Sequence, residues 1–184
     1  FQANDYEAAI VAWESALTGF QAVENQTQTA LTLNALAAAT LSLSRHSEAI
    51  VYASESAAIA AAIERSDLAA QALGNLGIAY QVSGQFAQAV ATYEQALDSL
   101  RDQPESAAIA QLYGLLGNAY EALGDYDSAI AAQETSMTMA ANVNAPSLQA
   151  TAQMNLGGLY SLTADYEMAI AWYTSGIALA TESG

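Results

Sequence analysis

The residues that could perform chemistry are few, and most of them are carboxylates. The sequence has no Cys and no Lys, and His46 is its only histidine, so thiol chemistry, Schiff-base formation and most catalytic triads are excluded. Asp125 and Asp127 have the spacing of a calcium-binding loop, but Ser136 stands where that loop needs a bidentate glutamate. We interpret these aspartates as caps of a helix N-terminus, and we expect no enzyme, no cofactor and no metal site.

The charge of the chain restricts its partners. Three arginines against 19 acidic residues give a formal net charge of −16, which would repel a nucleic-acid backbone or an anionic membrane surface. We expect neither as a partner, and a neutral or basic protein or peptide is favoured over an acidic one. The sequence shows no targeting segment and no membrane helix, which leaves the compartment open with the cytoplasm as the default.

An internal repeat organises the chain. Small residues recur every 40 positions, in one column as Ala37, Gly77, Gly117 and Gly157 and in another as Ala9, Ala49, Ala89, Ala129 and Ala169. Apolar residues between them follow helical spacing. The sequence therefore predicts a half repeat and four helix pairs, over residues 1–24, about 26–64, 66–104, 106–144 and 146–184. Longer polar connections are expected between pairs, around residues 65–67, 102–104 and 142–146.

The small columns have a packing explanation. Two helix backbones approach closely only where the side chain between them is a methyl group or less, so Gly117 and Ala129 are expected at the contact within a pair. Larger residues then fill the space that remains. We expect aromatic residues such as Tyr93 and Tyr173 to wedge between pairs rather than to hold a cofactor.

Three stretches of the sequence resemble the tetratricopeptide repeat (TPR). They are residues 72–80 (ALGNLGIAY) followed by Phe86, residues 116–120 (LGNAY) followed by Tyr126, and residues 156–160 (LGGLY). The period exceeds the usual unit of about 34 residues and is similar to the longer repeats of kinesin light chain-like and bacterial multidomain proteins. The resemblance implies an all-α fold, a right-handed superhelical solenoid of antiparallel helix pairs. We expect one array, excerpted from a longer protein.

The resemblance also implies a peptide-binding site in the concave groove that the first helices of the pairs line. In related proteins, asparagines on this face hold a peptide by its backbone, because an amide side chain both donates and accepts hydrogen bonds. The candidate residues are Asn75, Asn118 and Asn155, then Asn34, with the polar Gln71 and Gln111 and the apolar Ile78, Leu115, Tyr113 and Met154. The same asparagines could instead bond only to the neighbouring helix, and the sequence leaves both interpretations open.

The resemblance therefore points to a non-catalytic scaffold that binds a peptide segment of a partner or of its own parent chain. The alternative is a regulatory sensor region that controls an effector domain outside this sequence. The Lys and Arg clamp with which chaperone-binding TPR domains hold a C-terminal carboxylate is not matched, since Arg45, Arg65 and Arg101 fall in turns or at helix ends. The last helix lacks a polar outer face, so self-association through uncapped ends is also expected.

Overall fold

The chain folds into helices that pack in sequence order. The computed structural model describes residues 3–183, and these form helices and no strand. The helices are α1 (Ala3–Ala22), α2 (Gln26–Ser42), α3 (His46–Ala62), α4 (Ser66–Val82), α5 (Phe86–Ser99), α6 (Ala107–Leu123), α7 (Tyr126–Asn142), α8 (Pro146–Leu162) and α9 (Tyr166–Ser183). The predicted all-α fold of helix pairs is confirmed. None of the described helices is both long and apolar enough to cross a bilayer.

The helices form two compact units. Unit 1, Phe1–Arg101, contains α1 to α5, and unit 2, Asp102–Gly184, contains α6 to α9. Within each unit, every helix packs on the next one along the chain. The first helices of successive pairs also touch, α2 on α4 in unit 1 and α6 on α8 in unit 2. These first helices carry the asparagines that the sequence selects.

Short turns connect most of the helices, whether within a pair or between pairs. The connections at residues 63–65 and 143–145 are as short as those inside pairs, so the prediction of longer connections there is wrong. Only residues 100–106, between α5 and α6, form a longer one. The short turns contain a residue with left-handed backbone, which is glycine in two of them and Glu24, Ser44, Glu64, Asn144 or Ala164 in the others. Without a glycine, the sequence gives little sign of such a turn.

Polar side chains mark several of the helix starts. The Asp125 carboxylate accepts a hydrogen bond from the Ser128 backbone N–H at 3.2 Å, and Asn25 and Asp165 cap α2 and α9 in the same way. The interpretation of Asp125 as a helix cap is confirmed. No group of three or more His, Cys, Asp or Glu residues within the described part of the chain could hold a metal ion.

The glycines of the first helices lie against large side chains of the second helices. A Cβ built on Gly77 would lie 2.7 Å from Tyr93 Cδ1, and one on Gly157 would lie 2.8 Å from Tyr173 Cδ1. Both distances are too short for carbon atoms in contact, so this column lies at the contact within a pair, but a side chain of the second helix rather than its backbone lies against the glycine. The two tyrosines fill the space over the glycine within their own pair, rather than only wedging between pairs as the sequence suggested.

Tyr93 is the largest fully buried side chain of the described residues, and its hydroxyl donates to Gln81 Oε1 at 3.1 Å. Burial raises the pKa of its phenol above the ordinary value of 10.0. The folded state therefore favours the neutral phenol, and the stability that this group contributes is complete below pH 10 and is lost as the pH rises further.

We expect the free energy of unfolding of unit 1 to fall as the pH rises above 10, by at most about 1.4 kcal/mol per pH unit from this one group. The chain has no Lys to titrate in this range. Urea unfolding at several pH values measures the slope. Burial also raises the pKa of Tyr52 in this unit, so Tyr93→Phe should make the slope shallower without abolishing it, whereas an equally steep slope in that variant would assign the effect to other groups.

The outer face of α9 is apolar and exposed. Tyr166, Ile170 and Ile177 are 64%, 67% and 57% exposed, whereas Tyr126 and Ile130, one repeat earlier on α7, are half-buried. In α7 this face is covered by α8. Self-association through the corresponding face of α9 stays a prediction.

Candidate functional site

The asparagines of the first helices are joined in pairs across neighbouring helices. In unit 1, Asn75 Nδ2 on α4 donates to Asn34 Oδ1 on α2 at 2.8 Å. In unit 2, Asn155 Nδ2 on α8 donates to Asn118 Oδ1 on α6 at 3.2 Å. All four side chains are half-buried. The interpretation that these amides bond to the neighbouring helix is therefore correct for one half of each amide.

Each asparagine uses only one of the two polar groups of its amide in the pair. Asn34 and Asn118 each use their oxygen in the pair, which leaves the Nδ2 group as a donor. Asn75 and Asn155 use their nitrogen, which leaves the Oδ1 atom as an acceptor. Each pair thus combines one donor and one acceptor, the same two groups that a peptide bond presents. The donor lies on the earlier helix and the acceptor on the later helix in both units.

The unit 2 pair has a third member that the sequence analysis did not select. Gln133 on α7 is fully buried, and its Nε2 donates to Asn118 Oδ1 at 2.8 Å and to the Gly114 carbonyl at 3.0 Å. Asn118 Oδ1 therefore accepts two hydrogen bonds. The available signal was a glutamine in the column where the neighbouring pairs carry Tyr93 and Tyr173.

The other candidate residues have different environments. Gln71 and Gln111 occupy equivalent positions on α4 and α6 and are both exposed, while Ile78 and Leu115 are half-buried beside the asparagines in sequence. These four residues could contact a ligand together with the amides. Tyr113 and Met154 have other surroundings. Tyr113 occupies the repeat column of the buried residues Leu33, Leu73 and Gln153, and Met154 is 38% exposed.

Met154 lies partly inside its own helix pair. A Cβ built on Gly176 of α9 would lie 3.1 Å from both Met154 Cγ and Met154 Sδ. The thioether therefore packs against the glycine of the second helix, while Met154 as a whole is 38% exposed. Tyr113 is half-buried, as Ile78 and Leu115 are.

All three cations of the chain are paired with carboxylates. Arg45 contacts Glu7 at 2.6 Å, Arg65 contacts Asp67 at 2.6 Å, and Arg101 pairs with Asp98. The Arg65 guanidinium lowers the pKa of the Asp67 carboxyl to about 2, mainly through their hydrogen bonds. Since the sequence has no Lys, the chain offers no unpaired side-chain cation that could hold the carboxylate of an acidic ligand.

A family model for the tetratricopeptide repeat matches residues 29–102 and 108–182, which is most of the chain. The chain belongs to the tetratricopeptide repeat family. The two matched stretches of this TPR protein break between residues 102 and 108, where the longer connection between α5 and α6 lies. A search of curated proteins finds no significant match.

Solved structures share the TPR fold at low sequence identity. The crystal structure of BtubC (BKLC) from P. vanneervenii has a TM-score of 0.88 and 22% identity, over 97% of this chain and 74% of that chain. Putative kinesin light chain TPR-like repeats from Podosopora anserina give a TM-score of 0.72 at 20% identity, over 98% and 95% of the two chains. The resemblance to kinesin light chain-like repeats is confirmed.

A Rap protein complexed with Competence and Sporulation Factor is also similar, with a TM-score of 0.81 and 22% identity. The match covers 97% of this chain but 50% of the Rap protein, so the chain spans about half its length. At these identities the comparisons establish the fold.

Proposed function

We propose that this TPR protein is a non-catalytic interaction scaffold that binds an extended peptide segment through the amide pairs of its first helices. Unit 1 would use Asn34 and Asn75, and unit 2 would use Asn118 and Asn155. The proposal rests on the hydrogen bond that joins the two amides of each pair. This bond leaves the Nδ2 group of the earlier asparagine as a donor and the Oδ1 atom of the later asparagine as an acceptor. A backbone carbonyl and N–H of a peptide complement these two groups.

The surroundings of the amides support this type of ligand. Gln71 and Gln111 are exposed on the same helices and can contribute further hydrogen bonds, and Ile78 and Leu115 offer partly exposed apolar surface. Polar groups that fix a backbone beside apolar contacts for side chains are the usual composition of a peptide site. The bound segment can come from a partner protein or from the parent chain.

Charge favours a neutral or basic segment. The net charge of −16 attracts basic partners over distances of about a Debye length, and every arginine already has a carboxylate partner. The similar Rap protein was crystallised with Competence and Sporulation Factor, which supports a ligand-binding use of this fold. Metals and cofactors have no part in the proposed function.

An array of nine-residue peptides of random sequence without Asp and Glu tests the proposal. The strongest binder is measured in solution by fluorescence anisotropy. We expect the double variant Asn118→Ala/Asn155→Ala, or Asn34→Ala/Asn75→Ala if the peptide binds in unit 1, to weaken binding at least about tenfold. Loss of two hydrogen bonds of about 1 kcal/mol each accounts for this size. Acidic replacements in the peptide should weaken binding further.

The matched control in unit 2 is Thr138→Ala/Thr174→Ala. Both threonines are exposed on second helices and bond only to their own helix backbone, so this variant should bind as the wild type does. Circular dichroism verifies that each variant is folded. Unchanged affinity in both folded asparagine variants would refute the role of the amide pairs, and an array without a specific binder would count against peptide binding altogether.

The regulatory alternative stays a prediction. A sensor region would use the same amide pairs, and its ligand would change the activity of an effector domain in a longer chain. The scaffold function requires only that the ligand binds.

A further inference from the structure

Gln133 is a polar residue in a position that packing alone would give to an aromatic ring. It lies against Gly117, where a Cβ would be 2.7 Å from Gln133 Nε2 and 3.0 Å from its Cδ. Tyr93 and Tyr173 occupy the same place over Gly77 and Gly157. The glycine therefore makes room for a large side chain in all three pairs, and only the pair of α6 and α7 uses a glutamine.

This choice has a cost for folding. Gln133 is fully buried, and its Oε1 atom has no hydrogen-bond partner. A buried acceptor that loses its water without gaining a donor destabilises the folded state. An aromatic ring, as in the neighbouring pairs, would avoid that cost, so stability does not explain the glutamine.

The hydrogen bonds of the Gln133 nitrogen offer an explanation. Nε2 donates to Asn118 Oδ1 at 2.8 Å, and the Gly114 carbonyl holds the same nitrogen from the other side at 3.0 Å. Asn118 Oδ1 thus faces two donors, Gln133 Nε2 and Asn155 Nδ2. A rotated Asn118 amide would place its own N–H groups against both donors, so this orientation is fixed.

Within the described residues of unit 1, no second-helix side chain donates a hydrogen bond to the asparagine pair. The α3 residue in the repeat column of Gln133 is Ala53, whose side chain has no group that could donate. The Asn34 amide is held in its orientation by Asn75 alone. The two pairs therefore share the same arrangement of donor and acceptor, but only the pair in unit 2 is held from a second helix.

We propose that Gln133 is a positioning residue that presents Asn118 Nδ2 as the donor and thereby fixes a backbone carbonyl as the group of a bound peptide that Asn118 binds in unit 2. The inference rests on the proposed function. A backbone carbonyl of the ligand would bind Asn118 on α6, and a backbone N–H would bind Asn155 Oδ1 on α8.

The test compares Gln133→Met with Gln153→Met. Methionine has nearly the shape of glutamine but neither donates nor accepts strongly. Gln153 is the matched control because it is also buried in unit 2 with an unpartnered Oε1, and it makes no hydrogen bond to either asparagine. Peptide affinity and thermal unfolding are measured for both variants, with Gln133→Leu as a second apolar replacement.

We expect Gln133→Met to bind the selected peptide about tenfold more weakly while its melting temperature stays equal or rises. Gln153→Met should keep the affinity of the wild type. A purely structural role of Gln133 predicts instead that affinity falls only together with stability. In the ligand-free protein, NMR should show faster hydrogen exchange of the Asn155 side-chain amide in Gln133→Met but not in Gln153→Met.

The outcomes separate this inference from the proposed function. If Asn118→Ala/Asn155→Ala loses binding while Gln133→Met and Gln133→Leu bind as the wild type does, the positioning role is overturned and the amide site stands. If the asparagine variant itself keeps its affinity, the proposed site in unit 2 fails. Unchanged exchange of the Asn155 amide in Gln133→Met overturns the positioning role without reference to any ligand.

Discussion

Replacing Gly77 by leucine is expected to destabilise unit 1 by about 3 kcal/mol or more. Even a Cβ at this position would lie 2.7 and 2.8 Å from the Tyr93 ring atoms Cδ1 and Cζ. The ring is fully buried and held by its hydrogen bond to Gln81, so it cannot move without disturbing its neighbours. Overpacking of this kind costs about 1–3 kcal/mol, and more when the surroundings cannot relax.

Urea unfolding measures the effect. The chain has two tryptophans, Trp13 in unit 1 and Trp172 in unit 2, so in a Trp172→Phe background the fluorescence of Trp13 follows unit 1. Gly19→Leu is the matched control, because a Cβ at Gly19 on α1 would meet no atom within 4 Å. It should keep or raise the stability, since leucine favours a helix over glycine. Equal stability of the two variants would contradict the close contact between Gly77 and the Tyr93 ring.

Replacing Tyr93 by alanine should cost about 3–5 kcal/mol, the usual range for removing a buried aromatic side chain. The ring covers Gly77 and its hydroxyl satisfies Gln81 Oε1, so the variant loses packing and leaves a cavity between α4 and α5. The same Trp13 fluorescence measurement applies. Val51→Ala on α3 of unit 1 is the control, because that side chain is 62% exposed and its truncation should change the stability little.

The two substitutions should compensate each other. In Gly77→Leu/Tyr93→Ala, the leucine enters the space that the ring vacates, and the double variant should be more stable than the sum of the single effects by about 0.5–3 kcal/mol. In the pair of α2 and α3, Ala37 and Ala53 occupy the positions of Gly77 and Tyr93, and both are fully buried. That pair therefore packs with a larger residue in place of the glycine and a smaller one in place of the ring. Additive effects would show that Gly77 and Tyr93 do not share one space.

The sequence predicted the helix pairs because their packing depends on residue size, and size can be read from single positions. The recurrence of Gly77, Gly117 and Gly157 identified the contact within a pair, and Asp125 identified a helix start. The asparagines were also selected correctly as residues of the first helices. Each of these features follows from the type of one residue at one spacing.

Features that depend on two residues together were missed. Asn75 has its partner at Asn34, and Asn155 at Asn118, and these spacings differ from the repeat period. The role of Gln133 depends on Gly114 and Asn118 on another helix. Of the connections that were predicted to be long, only the one at residues 100–106 is long, because α5 ends at Ser99, and the repeat pattern alone does not distinguish it from the others.

The long connection between α5 and α6 gives the protein a natural site for proteolysis. Trypsin-like proteases cleave after arginine, and this chain has three. Arg45 and Arg65 lie in tight turns, where their backbone N–H groups bond to Thr40 and Ala60, whereas Arg101 is followed by the exposed residues Asp102 to Glu105. Since proteases prefer extended, accessible backbone, a brief digestion would cut first at Arg101.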